Sequence, residues 1–296
     1  MLFARCINNI EDWAGLFQDR EVFAPLAEYI FSRHGLEYSG MEACTPGSNA
    51  VFRAGRYIVK IFAPNESGIG AEEDFLTEKF GIGRANQLGI AAPELIAWGV
   101  VADRYVFRYL ILSFVEGESL AKVSGMLSDK ERFRIGQKLR KIVNRMDTAC
   151  EKFNGHILFG KQAEDRWKAF PLEFQRERKK YLEAVGKKPE VYVHGDLNPD
   201  NIIVGADGEI YIIDFADAMI APIELEQASI LCDGFKFDSA YRSGFAGEYE
   251  KTALTEQLLY GLLIHDFGLN IIRDNLCAPS EISSLGQLRD RIHEKL

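Results

Sequence analysis

Cysteine is scarce and scattered. The five present, Cys6, Cys44, Cys150, Cys232 and Cys277, form no C-x-x-C pair and stand at no metal-ligand spacing from a histidine. That excludes a zinc site or a disulfide framework as the organising feature. His34, His156, His265 and His293 also lack metal-ligand spacing, and only His194 sits among carboxylates and amides. Basic charge is in deficit: 35 Lys and Arg face 44 Asp and Glu, for a formal charge of -9. This argues against a protein that grips a nucleic-acid backbone. Long apolar runs are missing too. Stretches such as YLILSFV fall far short of the roughly 20 residues that a membrane span needs, and MLFARCINNIEDW has no charged region followed by a long apolar run. The expectation is a cytoplasmic protein with neither nucleic-acid nor membrane partners. There is no internal repeat and no low-complexity tract.

What is present suffices for a substantial core: 296 residues, 47% of them hydrophobic. Residues 8–34 read as helix, ending in FAPLAEYIFSRHG with Gly35 as the stop. The pattern then changes. YSGMEACTPGSNAVFRAGRYIVKIF reads as three short strands around a Gly-containing loop at 45–49 and a tight turn at 54–56. A helix over 71–88 precedes APELIAWGVVADRYVFRYLILSFV, which supplies two more strands. From Glu118 onward helices dominate. SDKE at 128–131 is a capping box, and Ile135, Leu139, Ile142 and Met146 then recur at helical spacing. Residues 162–185 and 250–272 read as further helices, the second with Leu254, Leu258, Leu262 and Phe267 on its buried side. The boundary near Glu116 and Gly117 separates a strand-rich part with a helical N-terminal extension, 1–115, from a mainly helical part, 116–296.

One stretch carries chemistry. In VYVHGDLNPDNIIVGADGEIYIIDF, residues 191–215, NIIV and EIYIID flank the turn signal Asp207-Gly208, so 201–214 reads as a hairpin. Antiparallel pairing about that turn places Asn201 almost opposite Asp214. Oxygen donors of this kind suit Mg²⁺, which takes one or two protein ligands and completes its shell with waters and nucleotide phosphates. Asp196 lies on the loop just before, within reach of the same place. Phosphoryl transfer needs this set: a carboxylate to hold and deprotonate an attacking hydroxyl, and separate ligands for the metal.

These residues resemble the aminoglycoside phosphotransferase and choline kinase superfamily, relatives of the protein kinases. HGDLNPDN is similar to its H-x-D-x-x-x-x-N catalytic loop, and Asp214 of IIDF to its metal-binding Asp. The resemblance spans roughly 45–228. It implies an α+β, two-lobed protein-kinase-like fold with a strand-rich N-lobe and a mainly helical C-lobe. It further implies Asp196 as catalytic base, Asn201 and Asp214 as Mg²⁺ ligands, His194 as a buttress of the metal loop, and Asn198 at a γ-phosphate or hydroxyl contact. Upstream, TPGSNAVFR is similar to the nucleotide loop: Gly47 permits close approach, and Ser48 and Asn49 offer donors to the β- and γ-phosphates. YIVKIF resembles the strand that carries the phosphate-binding lysine, here Lys60. Its acidic partner is open among Glu72, Glu73 and Glu78, and Glu78 best fits the interval to Pro93. LSFVEGESL resembles the segment joining the lobes, with the adenine expected on the backbone of Ser113 and Val115, a readout that does not separate ATP from GTP.

Departures narrow the class. Ala216 follows Asp214-Phe215 where protein kinases have Gly, there is no H-R-D, and the A-P-E at 92–94 lies upstream of Asp214. An ordinary protein kinase is disfavoured. APIELEQA is only similar to the family's Pro-x-x-Tyr-Asp-Leu-Ala, with Glu226 as counterpart of its Asp. The function implied is ATP- or GTP-dependent transfer of a γ-phosphoryl group to a small-molecule hydroxyl. Acidic residues outnumber basic ones after Phe215, so an aminoglycoside or another amino-bearing alcohol is the first expectation, with Glu224 and Glu226 as candidate substrate residues. Choline, homoserine or sugar kinase activity is the alternative, as is a nucleotide-binding pseudokinase that regulates a partner.

Overall fold

The helical stretch expected over 8–34 folds as two helices, α1 (Ile10–Ala14) and α2 (Arg20–Arg33). Asp19 caps the second, its carboxylate accepting the N–H groups of Glu21 and Val22 at 3.0 and 3.2 Å. This computed structural model describes residues 1–45 and 47–296; Pro46, inside the expected nucleotide loop, lies outside the described residues. The chain divides into two compact units, Met1–Glu116 with Asp214–Ala216, and Gly117–Ile213 with Asp217–Leu296.

The first unit is built on a five-stranded antiparallel sheet. Its strands are β1 (Glu42–Ala43), β2 (Ala50–Ala54), β3 (Tyr57–Ile61), β4 (Leu95–Ala102) and β5 (Val106–Ser113), in the order β1-β2-β3-β5-β4. β3 lies at the centre, paired on both sides, which fixes Lys60 opposite Val51 and Leu110. Helix α3 (Ala71–Gln87) falls between β3 and β4 in the chain. The N-terminal extension supplies an aromatic core: Phe3 meets Phe107 at 5.0 Å and Phe23 at 5.1 Å between ring centroids, and Phe23 meets Phe52 at 5.6 Å. Each such fully buried ring contributes about 1.5–3 kcal/mol relative to exposure.

The second unit contains β6 (Gly117–Ser119), α4 (Leu120–Val123), α5 (Asp129–Met146), α6 (Lys161–Arg166), α7 (Leu172–Val185), β7 (Val191–Val193), β8 (Ile202–Gly205), β9 (Ile210–Ile212) and β10 (Met219–Ala221). It ends with α8 (Ile223–Ala228), α9 (Ser239–Ala246), α10 (Lys251–Ile264), α11 (Gly268–Asn275) and α12 (Leu285–Lys295). The capping box forms: Ser128 Oγ accepts the Glu131 N–H at 3.4 Å and the Glu131 carboxylate accepts the Ser128 N–H at 2.8 Å. Ile135, Leu139, Val143 and Met146 are the buried face of α5, whereas Ile142, expected there, is half-buried, because a 3.6-residue turn carries the stripe to 143. Gly136 of α5 and Gly244 of α9 bring the two backbones together. A Cβ on Gly244 would stand 2.0 Å from the Phe133 carbonyl oxygen, and one on Gly136 would stand 2.3 Å from that of Tyr241.

Two expected long helices are broken. Pro171 stands at the N-cap of α7 and separates it from α6. α10 ends at His265, after which Phe267 turns outward, 48% exposed, and the expectation that it is buried is wrong. Leu254, Leu258 and Leu262 are buried as expected. Among the described residues no helix is long and apolar enough to cross a membrane.

Candidate active site

In the first unit the chemistry gathers on Lys60. The central position of β3 buries this side chain almost completely, and a buried ammonium needs partners. It has two: Asp214 Oδ1 at 2.6 Å and Glu78 Oε2 at 3.2 Å. Burial works to lower the Lys60 pKa, but the Asp214 and Glu78 carboxylates outweigh it and hold the ammonium above the usual lysine range. Burial pushes the Glu78 carboxyl up from its ordinary value and the Asp214 charge adds to the rise, while the Lys60 ammonium opposes it and keeps the ion pair. Of the three acids left open by the sequence, the structure brings Glu78 to Lys60. Glu72 instead pairs with Arg108 of β5 at 2.6 Å, and Glu73 is exposed. The two ion pairs anchor α3 to the sheet about one and two-thirds turns apart. Asp214 holds a left-handed backbone, φ 60°, uncommon for a residue with a side chain.

The loop before β2 is tied down from an unexpected direction: the Trp13 indole N–H of α1 donates to the Ser48 carbonyl at 2.8 Å. Gly47 and Ser48 are exposed. Asn49 is turned inward, 3% exposed, its amide nitrogen donating to Ser48 Oγ at 3.3 Å and its oxygen accepting the Ala63 N–H at 3.4 Å. In this position it braces the loop. At the other end of the sheet, Ser113 spends its N–H on the Glu94 carbonyl and Phe114 its own on that of Arg56, both at 2.9 Å.

In the second unit the loop after β7 is held by a dense set of bonds. His194, fully buried, accepts the Asp196 N–H at Nδ1 (3.4 Å), which leaves Nε2–H to donate to the Ile213 carbonyl at 3.0 Å. Asn198 caps the short 3₁₀ turn Pro199–Asn201, accepting the N–H groups of Asp200 and Asn201, while its amide nitrogen donates to Asp196 Oδ1 at 2.9 Å. The Asn201 amide nitrogen donates to the Asp196 carbonyl at 2.8 Å and to Oδ2 at 3.0 Å. Each carboxylate oxygen of Asp196 is thus oriented by an amide, and Asn201 Oδ1 accepts no hydrogen bond among the described residues. Strands β8 and β9 pair Ile202 with Ile212, and the Ile213 N–H donates to the Asn201 carbonyl at 3.0 Å. The register is one residue short of the expected one: Asn201 stands across from Ile213, and Asp214 is the next residue in the chain.

Gly195 takes φ +82°, and a Cβ there would stand 2.2 Å from the Asp217 carbonyl oxygen, so only glycine fits between His194 and Asp196. Its N–H donates to Glu226 Oε2 at 3.0 Å. Burial raises Glu226 to about 7, with the backbone N–H groups of Gly195 and His194 opposing and the Asp196 charge adding to the rise. Glu226 is fully buried, so its expected role as a substrate residue is corrected: it anchors the loop from behind. Glu224 is likewise occupied, paired with Lys188 at 2.7 Å with its side chain 15% exposed. Other acids of the same segment serve the fold: Asp238 and Glu250 cap α9 and α10, and Asp233 accepts from the Asn275 amide. No sequence signal marked the Trp13 contact, and the motif letters alone did not explain Gly195. Among the described residues no group of three or more His, Cys, Asp or Glu is placed to hold a metal.

The model of the phosphotransferase enzyme family matches residues 47–260. The chain belongs to that family. It is a small-molecule phosphotransferase with a protein-kinase-like α+β fold. Solved structures agree on the fold. Spectinomycin phosphotransferase APH(9)-Ia, complexed with ADP and spectinomycin, is 15% identical, with 92% of this chain and 98% of that one covered at a TM-score of 0.58. The GDP and kanamycin complex of an APH(2") enzyme is 15% identical over 91% and 95% at 0.57. Choline kinase LicA from Streptococcus pneumoniae is 14% identical over 91% and 98% at 0.56. No curated protein sequence matches the chain at a significant level.

Proposed function

We propose that this phosphotransferase moves the γ-phosphoryl group of ATP or GTP to the hydroxyl of a small molecule, with an aminoglycoside or other amino-bearing alcohol as the first acceptor class. The observation that carries the reading is Asp196, whose two carboxylate oxygens are each oriented by an amide of its own loop, Asn198 at 2.9 Å and Asn201 at 3.0 Å. A carboxylate so fixed positions an incoming hydroxyl and takes its proton, and phosphoryl transfer rests chiefly on positioning and electrostatics. Lys60, kept cationic and directed by Glu78, neutralises the α- and β-phosphates, and the exposed Gly47 and Ser48 line the phosphate loop. The Ser113 carbonyl and Val115 backbone receive the base. Asn201 and Asp214 suit Mg²⁺, since both offer hard oxygen atoms and the Asn201 nitrogen is already committed to Asp196. Bound there, the ion would neutralise phosphate charge.

The acceptor class is supported by the neighbouring folds, among them a kanamycin complex, a spectinomycin complex and a choline kinase, and by the net charge of -9. It no longer draws support from Glu224 and Glu226. The test is ³¹P detection of product across aminoglycosides, amino alcohols, sugars and nucleosides with ATP and with GTP. A best acceptor that is neutral or anionic would sink the amino-bearing class, and absence of turnover with every acceptor would sink the enzyme reading in favour of a regulatory nucleotide binder.

A further inference from the structure

Within the second unit, α7 and the turns that flank it border an open cavity of about 860 Å³, inside the range of cavities that hold small organic molecules. Its apolar lining includes Trp167, Leu182, Pro222, Tyr260 and Ile264. Leu172 and Phe159, also in the lining, are left 70% and 45% exposed. Phe159 holds a left-handed φ of 65°, a conformation that an aromatic residue rarely adopts and that gathers at ligand sites.

The charge of the lining runs against that of the chain. Five bases, Arg176, Arg178, Lys179, Lys187 and Lys188, face three acids, Glu164, Glu183 and Glu190, in a protein of net charge -9. Arg178 is structural, buried and committed to Glu164 and the Leu263 carbonyl. Lys188 lies 4.2 Å from the centre of the Tyr260 ring and pairs with Glu224. The other three bases face solvent: the Arg176, Lys179 and Lys187 side chains are 70%, 79% and 81% exposed, in pairs with Glu173, Glu183 and Glu190 of 3.3, 4.0 and 3.5 Å. Exposed pairs of that kind contribute little and are readily exchanged for another anion.

This cavity is not the phosphotransfer site. Glu190 and Pro222 line it from one end of the paired strands β7 and β10, and the catalytic loop leaves β7 from the other end. We propose that the cavity binds an amphipathic organic anion, its apolar body against Trp167, Leu182 and Tyr260 and its charged head among Arg176, Lys179 and Lys187.

A head-group series at fixed chain length tests this on the full chain. Decanoate and decyltrimethylammonium, below their micelle concentrations, and decanol, below its solubility limit, are titrated calorimetrically, with naphthalene-2-sulfonate as an anion of different body. Expected is one decanoate per chain, bound at least about tenfold more tightly than decanol, with the cation weakest. The double reversal Lys179→Glu with Lys187→Glu alters two exposed side chains that hold only weak pairs with Glu183 and Glu190, so thermal unfolding should shift only slightly. It should weaken both anions at least about tenfold and leave decanol unaffected. Failure of both anions to bind, equal affinity for decanoate and decanol, or anion binding indifferent to the reversals would each overturn the proposal.

Discussion

Glu226, a fully buried carboxylate, holds the Gly195 amide at 3.0 Å from behind the loop that presents Asp196. Burial raises its pKa to about 7, so the native state binds a proton that the unfolded chain releases near 4.5. The stability this group contributes is full below about pH 4.5 and is lost as pH rises through about 7. Compared with Glu226→Gln, the parent protein should therefore lose on the order of 2–3 kcal/mol between pH 5 and pH 8. Urea unfolding of both proteins at several pH values checks this, and a difference that stays flat with pH would remove the argument.

Lys60 and Glu78 form a buried pair, 6% and 2% exposed. Removing one member leaves the other uncompensated, so Lys60→Met should destabilise by about 3–5 kcal/mol. Adding Glu78→Gln should recover at least half of that loss, a coupling that a double-mutant cycle measures directly. Glu72→Gln, which breaks only the partly exposed pair with Arg108, should cost less than about 1 kcal/mol. If the double variant proves less stable than Lys60→Met alone, the pair is not acting as a compensated unit.

Asp196→Asn keeps the shape of the side chain and removes its proton affinity. Turnover of the best acceptor should fall about 10²- to 10⁴-fold, while nucleotide affinity changes little. Asp214→Ala should weaken Mg²⁺-dependent nucleotide binding strongly, and Asn201→Ala more mildly, because only the first loses a charged ligand. Calorimetry with and without Mg²⁺ separates these outcomes; unchanged Mg²⁺ dependence in Asp214→Ala would refute its role as a ligand.

Two glycine substitutions should have opposite signs. Gly244→Ala places a Cβ 2.0 Å from the Phe133 carbonyl and must push α5 and α9 apart. It should destabilise by about 1–3 kcal/mol or more. Gly83→Ala lies inside α3 with no atom within 4 Å of the added methyl, and should stabilise by about 0.5–1 kcal/mol through helix propensity. Melting curves of the two variants suffice, and a neutral Gly244→Ala would contradict the close crossing.

Local signals carried well from sequence to fold. The turn at Asp207-Gly208, the capping box at Ser128 and Glu131, and the tight turn at 54–56 between β2 and β3 are each written in a few adjacent residues, and each formed. The single-residue offset of the β8–β9 hairpin was not legible, because a turn signal fixes that a chain reverses before it fixes how it pairs. Helix breaks at Asp19 and Pro171 were overlooked although both residues are strong signals, since apolar periodicity on either side masked them. The long-range part was hidden for a different reason. That Glu78 and not Glu72 meets Lys60 depends on the rotation of α3 against the sheet, and that Glu226 is spent on Gly195 depends on how α8 packs. A count of acidic residues does not distinguish a capping or anchoring carboxylate from one that faces a ligand.

The Trp13 indole, joined to the Ser48 carbonyl at 2.8 Å, also makes the protein its own instrument. The chain has three tryptophans, and of these Trp98 lies on β4 at 50% exposure and Trp167 lines the α7 cavity. Indole emission responds to a change in its hydrogen bond, so a nucleotide that reshapes the loop at Ser48 should be visible at Trp13 without any attached dye. Trp13→Phe silences that signal and leaves Trp98 and Trp167 emitting, so the difference between the two proteins isolates the response of the loop at Ser48.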